Sequence, residues 1–274
     1  MAPFELAQPE DLEEAIALLD AEDTRALSGG TALMLMMKAG VLRPGRLVSL
    51  ARLGLDRIEG DDALRIGAMT SLRSLEKSET IKKGWPAITR ALRTLSNVRV
   101  RNVATVGGAL AHADPHMDLP PLLSALGARV RIKGKNGERT AAVEDLYAGY
   151  LETTLRRGEL ITGVEVPPLG KRRAAYLKCT TRSADDWPAV GIAVVSDFQQ
   201  DIRIFVSAAT DRPIRLTAAE ALLKEGNFDV KRAAEAALSQ VHIESDLHGS
   251  ADYKKQLLRV YLGRAIHEAR NAVH

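Results

Sequence analysis

Two glycine pairs stand where main-chain atoms themselves could bind a ligand: Ser28-Gly29-Gly30-Thr31 and Thr105-Val106-Gly107-Gly108. Each follows a β-like run and precedes a helix-like one. Glycine loses more backbone entropy on folding than any other residue, so a pair marks a tight turn or a close approach. A turn of this kind aligns successive N–H groups in front of a helix N-terminus, and both features attract anionic oxygens. Ser28, Thr31 and Thr105 add hydroxyls. The alternative reading is a tight turn and nothing more.

The second pair runs on into His112, Asp114, His116 and Asp118. Pro115 interrupts the helical spacing that two histidines need to share a metal, and no third strong ligand stands at a recognisable distance, so no metal is assigned. Asp118, before Leu-Pro-Pro, is either a helix cap or an acceptor for hydroxyl groups. Lys178 and Cys179 alternate along a predicted strand. The thiol is read as buried and inert, which leaves Lys178 on the other face, toward a cleft or toward solvent. Trp187, beside Pro188, either stacks on something flat or plugs the core.

No G-x-G-x-x-G, phosphate-binding G-x-x-x-x-G-K-[ST] or G-x-S-x-G occurs, and no nucleophile–base arrangement stands out. The chain reads as a holder of a reactive cofactor rather than a supplier of reactive side chains. An apolar fraction of 46% and a charged fraction of 27% place it among ordinary globular proteins. A net charge of +3, with no Lys/Arg block of five, argues weakly for an anionic ligand and hardly for nucleic acid. The single cysteine, Cys179, excludes an intrachain disulfide and a cysteine-ligated iron–sulfur cluster, and it fits a reducing cytoplasm. MAPFELAQPEDLEE is acidic and is not read as a signal peptide. No apolar run approaches the ~18 residues of a membrane span.

Positioning these residues requires the following elements. A helix opens at Pro9-Glu10-Asp11 with Leu12, Ala15, Ile16 and Leu19 on one face. Arg25 to Leu27 leads into the first glycine pair, and a helix rich in methionine follows, its Met side chains read as core filler. Short strands are predicted at Leu47 to Leu50 and within 55–70, with a helix from Pro86 to Leu95. DLPPLLSALGA gives a short helix closed by Gly127, and ARVRIKGKNGERTAAV a hairpin turning at Lys135-Asn136-Gly137. LITGVEVPP is a strand. The texture changes at 167–173. AAYLKCTT, PAVGIAVVSDF and DIRIFVSAAT then read as three strands, followed by helices TAAEALLKEG, DVKRAAEAALSQ and Tyr253 to Val273. Strands first and helices last give an α+β class.

LSGGTALMLMMKAG with RPGRLVSL, LRIGAMTSL, RNVATVGGALAHADPHMDLPPLL, GELITGVEVPP and AAYLKCTTRSADDWPAVGIAV occur in this order along nearly the whole chain. Together they resemble the FAD-binding medium subunits of molybdenum hydroxylases, the family of the carbon monoxide dehydrogenase, xanthine dehydrogenase and 4-hydroxybenzoyl-CoA reductase flavoproteins. The resemblance implies a PCMH-type FAD-binding fold of two subdomains, 1–54 and 55–169, and a C-terminal domain, 170–274, of three-stranded sheet plus helices. It implies non-covalent FAD, its pyrophosphate wrapped by Ala26, Leu27, Ser28, Gly29, Gly30, Thr31, Ala32 and Leu33 and by Thr105, Val106, Gly107, Gly108 and Ala109. On this view a Cβ at Gly107 would intrude on the phosphate oxygens. The same resemblance places Asp118 on polar parts of the cofactor, the Ile161 backbone near the flavin or adenine, and Lys178 near the isoalloxazine. Leu95 falls at a position aromatic in some relatives, and Trp187 beside the ring.

The implied role is electron relay. Molybdopterin resides on a large partner subunit and [2Fe-2S] clusters on a small one, in a hetero-oligomer built as a dimer of heterotrimers in the cytoplasm. Ala32 and Ala109 depart from the family pattern, where polar residues are frequent, and remove one or two side-chain contacts. With one cysteine the chain lacks ligands for the extra [4Fe-4S] cluster of the benzoyl-CoA-type subunit. A stand-alone flavin oxidoreductase and a flavin-free scaffold subunit remain the alternatives.

Overall fold

A computed structural model describes residues 1–225 and 228–272. Strands β1 (Glu5–Ala7), β2 (Thr24–Leu27) and β3 (Arg46–Ser49) form a parallel sheet with β3 in the centre. Helix α1 (Leu12–Leu19) begins where the Asp11 carboxylate accepts the Glu14 N–H, and it buries Ala15, Ile16 and Leu19. Helix α2 (Leu33–Lys38) follows the first glycine pair. Of its methionines only Met37 is fully buried, so the core-filler reading holds for one position and Met34 stays half-exposed.

The second sheet is antiparallel and five-stranded. Its strands are β4 (Ile58–Gly60), β5 (Leu64–Gly67), β6 (Arg129–Gly134), β7 (Gly137–Ala142) and β10 (Leu160–Val166), in the order β4-β5-β10-β6-β7. A small hairpin of β8 (Tyr147–Gly149) and β9 (Glu152–Thr153) lies between β7 and β10. Six helices separate β5 from β6: α3 (Leu72–Lys77), α4 (Glu79–Gly84), α5 (Pro86–Thr94), α6 (Val98–Val103), α7 (Val106–His112) and α8 (Leu119–Leu126). Periodicity foretells α5 and α8. It misses α3, α4 and α6, each six residues long and too short to display a helical repeat.

The C-terminal sheet pairs β11 (Arg173–Thr180), β12 (Pro188–Ser196) and β13 (Ile202–Ser207) antiparallel, and a two-residue strand, β14 (Ile214–Arg215), extends the three expected strands to four. Helices α9 (Thr217–Lys224), α10 (Val230–Gln240) and α11 (Ala251–Asn271) complete the chain. Gly226 and Val273, to which two expected helices extend, lie outside the described residues.

Strand β12 is buried at every position because both its faces are covered. Alternate residues Ile192 and Val194 join Leu258, Leu262 and Ile266 of α11. Ala193 and Val195 point the other way, into a core shared with Leu119, Leu122 and Leu123 of α8 and with Ile66, Val130 and Val164 of the five-stranded sheet. Helix α8 is buried at all eight positions, with prolines in its first turn and Gly127 at φ +78° ending it. The hydrophobic core therefore continues across the 167–173 crossover. Leu122→Ala, at a wholly buried site between the two sheets, is expected to cost about 2–5 kcal/mol in urea denaturation. The same truncation at Leu35, which is 66% exposed, is expected to cost under about 0.5 kcal/mol.

Candidate functional site

The two glycine pairs meet in space. Ser28 Oγ lies 2.9 Å from Thr105 Oγ1. A Cβ on Gly29 would stand 2.1 Å from the Val103 carbonyl oxygen, and one on Gly108 would stand 2.6 Å from Ser28 Oγ. At Gly107 the space is held by Ala68, with Cβ at 2.7 Å and O at 2.9 Å. This corrects the expectation for Gly107: the missing side chain makes room for the protein's own backbone. Gly30 is required for a different reason, its φ of +68°.

The pairs also differ in what their N–H groups do. Gly107 and Gly108 are not in a turn after a strand; they form the first turn of α7, behind α6. Val106 N–H donates to Thr70 O (3.0 Å), Gly107 N–H to Ala68 O (2.8 Å) and Ala109 N–H to Thr105 O (2.9 Å). Gly108 N–H donates to the capping Thr105 Oγ1 at 3.1 Å. The second pair is thus no open nest, contrary to expectation. In the first segment, which does run from strand β2 into α2, the N–H groups of Ser28, Gly29, Gly30, Thr31, Ala32 and Leu33 find no acceptor within the described chain, and the first paired one is Met34 N–H to Gly30 O at 3.0 Å. Ala26 and Leu27 lead in from β2, and Ala32 begins α2 without a side-chain cap. Ile161 is one step from the seam: Gly107 bonds Ala68 O, and Ala68 N–H bonds the carbonyl of Thr162, at a bulge of β10.

A buried ion pair forms the second centre. Asp118 starts α8, yet its carboxylate makes no capping bond, which settles against the cap reading. It accepts the Tyr176 hydroxyl at 2.7 Å and Lys178 Nζ at 2.9 Å. Burial pushes the Asp118 carboxyl up, the Lys178 ammonium and the two hydrogen bonds pull it down, and the balance is upward. Burial raises the Tyr176 hydroxyl well above its ordinary range, with the Asp118 charge adding to the effect. Gly191, opposite Lys178 on β12, gives the tyrosine room: a Cβ there would lie 2.6 Å from the Tyr176 hydroxyl.

Lys178 donates also to Thr94 O (2.9 Å) and Asp186 O (3.1 Å). An ammonium has three N–H donors, so all of them are engaged within the chain. Leu95 follows Thr94 at the end of α5, and its carbonyl accepts Arg101 Nη1 at 3.0 Å. Arg101 also holds Ser96 O and pairs with Glu76 Oε2 at 3.0 Å. Tyr176, Arg101 and Glu76 were not anticipated. Tyr176 carried a signal, since residues two apart on a strand share a face; Arg101 lay hidden in an alternating run.

Trp187 is 42% exposed, so it does not plug the core; its ring lies 5.4 Å from that of His116. His116 is engaged by the Asp114 and Asp246 carboxylates. Among the described residues no group of three His, Cys, Asp or Glu side chains is placed to hold a metal, and no helix is long and apolar enough to cross a membrane. Cys179 is buried. A groove of about 630 Å³ lined by Trp85, Pro86 and Pro168 involves none of these site residues.

Residues 2–169 match the family described as the FAD binding domain in molybdopterin dehydrogenase. The chain belongs to that family. Residues 175–269 match the CO dehydrogenase flavoprotein C-terminal domain. The glyceraldehyde dehydrogenase medium chain of Sulfolobus acidocaldarius is 32% identical over 275 residues, covering 97% of this chain and 98% of the relative. The carbon monoxide dehydrogenase medium chain of Hydrogenophaga pseudoflava is 30% identical over 279 residues, 97% of this chain and 96% of the relative. A solved structure of carbon monoxide dehydrogenase from the same organism, lacking the Mo-pyranopterin moiety, matches with a TM-score of 0.93 and 33% identity over 98% of both chains. The chain is accordingly an FAD-binding medium subunit of the molybdenum hydroxylase family, with the α+β fold of the carbon monoxide dehydrogenase flavoprotein.

Glu76 supplies a pH test of the α5 corner. Burial raises its carboxyl, but the hydrogen bonds and charges of Arg73 and Arg101 outweigh this and hold it below its ordinary 4.5. A lowered folded-state value contributes stability that is complete above the unfolded value and lost as pH falls through the folded one. Between about pH 5 and pH 3 the stability of the wild type, measured by urea denaturation, is expected to fall more steeply than that of Glu76→Gln.

Proposed function

We propose that the chain binds FAD non-covalently between the first glycine segment and the Asp118–Lys178 pair, and passes electrons between partner clusters and an external acceptor. The observation that carries this is the run of N–H groups from Ser28 to Leu33 without acceptors in the described chain, a donor set suited to a diphosphate. Thr105 braces that run through Ser28. In this reading the second glycine pair acts as a wall and brace, held through the buried Thr105 hydroxyl, with the surface of Ala109 facing the cofactor rather than a second ring of amides. Asp118, Lys178, Leu95, Ile161 and Trp187 line the remainder. FAD, when bound, takes up electrons singly and releases them in pairs. The chain's residues orient it and exclude water. Because its three donors are engaged, Lys178 acts on a bound ring by its charge rather than by a hydrogen bond.

The relatives named medium chains support partner chains of other sizes; in this reading these are a large molybdopterin subunit and a small [2Fe-2S] subunit, arranged as a dimer of heterotrimers. Subdomains 1–54 and 55–169 would form the cofactor cleft and 170–274 close it. A cytoplasmic location keeps the lone thiol reduced.

The test is flavin content. Wild-type protein is expected to retain or take up one FAD, seen as visible flavin absorbance. Gly30→Val, which forces a β-branched residue to positive φ, is expected to lose it while keeping its circular dichroism. Failure of the wild type to bind FAD would sink the reading. Lys178→Met leaves Asp118 buried and unpaired, and is expected to destabilise the fold by about 3–5 kcal/mol. Lys178→Met is also expected to lower the potential of bound FAD, and Asp118→Asn in the same chain is expected to recover most of the stability loss in urea denaturation and to bring the potential back toward the wild-type value.

A further inference from the structure

An exposed indole at a loop end ordinarily samples several rotamers. Trp187 is held differently. Its main chain is fixed from below, since Lys178 holds Asp186 O and the Asp186 carboxylate accepts the Trp187 N–H at 2.9 Å. Its ring packs on His116, whose imidazole lies between two other rings: the Trp187 centroid is 5.4 Å away and that of His248 is 5.0 Å. The imidazole itself has little freedom, because Nδ1 meets Asp114 Oδ1 at 2.9 Å and Nε2 meets Asp246 Oδ2 at 3.2 Å.

The anchor continues inward. Asp246 accepts the ammonium of Lys254, a residue 1% exposed, at 2.5 Å, and Lys254 also donates to Ala208 O at 3.1 Å. Ala208 N–H in turn bonds Pro115 O at 2.9 Å, next to His116. His248 is fixed by its own N–H to Asp246 Oδ1 at 2.8 Å. A closed set of contacts thus links the segment after α10, the start of α11 and the His112–Asp118 loop. Its outermost member is the indole. Lys254 occupies the carboxylate that a cation would need, so the cluster reads as a mechanical tie rather than a metal centre.

We propose that His116 is a positioning residue: clamped by Asp114 and Asp246 and backed by His248, it sets the plane of Trp187 beside Asp186, whose carbonyl Lys178 holds, so that the exposed indole presents a fixed face to a flat ring bound against it. This rests on the FAD reading above for the identity of that ring. The tie itself concerns only this chain's residues.

Tryptophan emission separates the two. The chain has two tryptophans, and Trp187→Phe serves as the reference that isolates the Trp187 signal. In flavin-free protein, His116→Ala is expected to lower the anisotropy of that signal and raise its quenching by acrylamide. His116→Gln, which keeps a hydrogen-bonding side chain but lacks a ring to pack on, is expected to do the same without loss of folded structure. In FAD titrations, His116→Ala is expected to raise the Kd by about 2-fold to 12-fold, the size of one aromatic pair. The double variant with Trp187→Ala is expected to bind no more weakly than Trp187→Ala alone, because both changes remove one interaction. Unchanged anisotropy and quenching in both His116 variants, or Kd losses that multiply in the double variant, would overturn the proposal. An unaltered Kd in Trp187→Ala, with the indole freed by His116→Ala, would overturn the ring-facing role and leave FAD binding in place. Absence of FAD uptake by the wild type reports instead on the parent reading.

Discussion

The structure depends on one buried cation finding enough acceptors. Stripping an ammonium and a carboxylate of water costs several kcal/mol each, and close pairing alone does not offset that. Lys178 and Asp118 have side chains only 7% and 4% exposed. The arrangement is tolerable because each N–H of the ammonium and each oxygen of the carboxylate has a partner: Thr94 O and Asp186 O complete the ammonium, and the Tyr176 hydroxyl serves the second carboxylate oxygen. Satisfying one side chain thereby fixes three segments, namely the end of α5, the start of α8 and the loop before β12. Gly191 belongs to the same requirement, since any side chain there would displace Tyr176. The Arg101–Glu76 pair extends the network by holding the two carbonyls after Thr94.

The glycine seam answers a complementary need. The ion pair fixes side chains, whereas the seam lets two stretches of backbone touch. Gly29 rests on the Val103 carbonyl, Gly107 on Ala68 and Gly108 on Ser28, each at a distance that a Cβ would make impossible without a shift. Close approach fixes the first segment's shape while leaving its N–H groups without acceptors among the described residues. The resulting donor set is rigid without being consumed.

Much of this was legible in order along the chain. The alternation of AAYLKCTT and PAVGIAVVSDF reveals strands because a half-buried or doubly covered strand keeps a period of two, and the same alternation puts Lys178 opposite Cys179. Gly127 and Asp11 mark helix ends through local chemistry. What stayed hidden is non-local or short. Lys178 meets Thr94 and Asp118 from 84 and 60 positions away, and no spacing rule reports such a contact. VRVRNV alternates like a strand but is a helix, because Asn97 caps it and Arg101 is drawn inward to carbonyls and to Glu76. Gly107-Gly108 looks like the first pair in sequence, yet Thr105 caps the helix that contains it, and its amides turn inward.

That contrast gives Ala32 a different meaning. As a departure from the family pattern it reads as one lost contact to a cofactor. The helix physics points the other way. Helices α2 and α7 are both short, six and seven residues, so a macrodipole contributes little at either end and the individual N–H groups decide what binds. Helix α7 has a threonine cap that takes up Gly108 N–H; at α2 the cap position is Ala32, which accepts nothing. The backbone at position 32 is already helical (φ −94°, ψ −49°), unlike the extended Thr105 that caps α7, so it is not a place from which a side chain caps the first turn. The first-turn N–H groups of α2 therefore have no internal competitor for an anion. Of two glycine-led helix starts pressed together, only the uncapped one keeps its amides available, and the capped one supplies the rigidity that holds them in place.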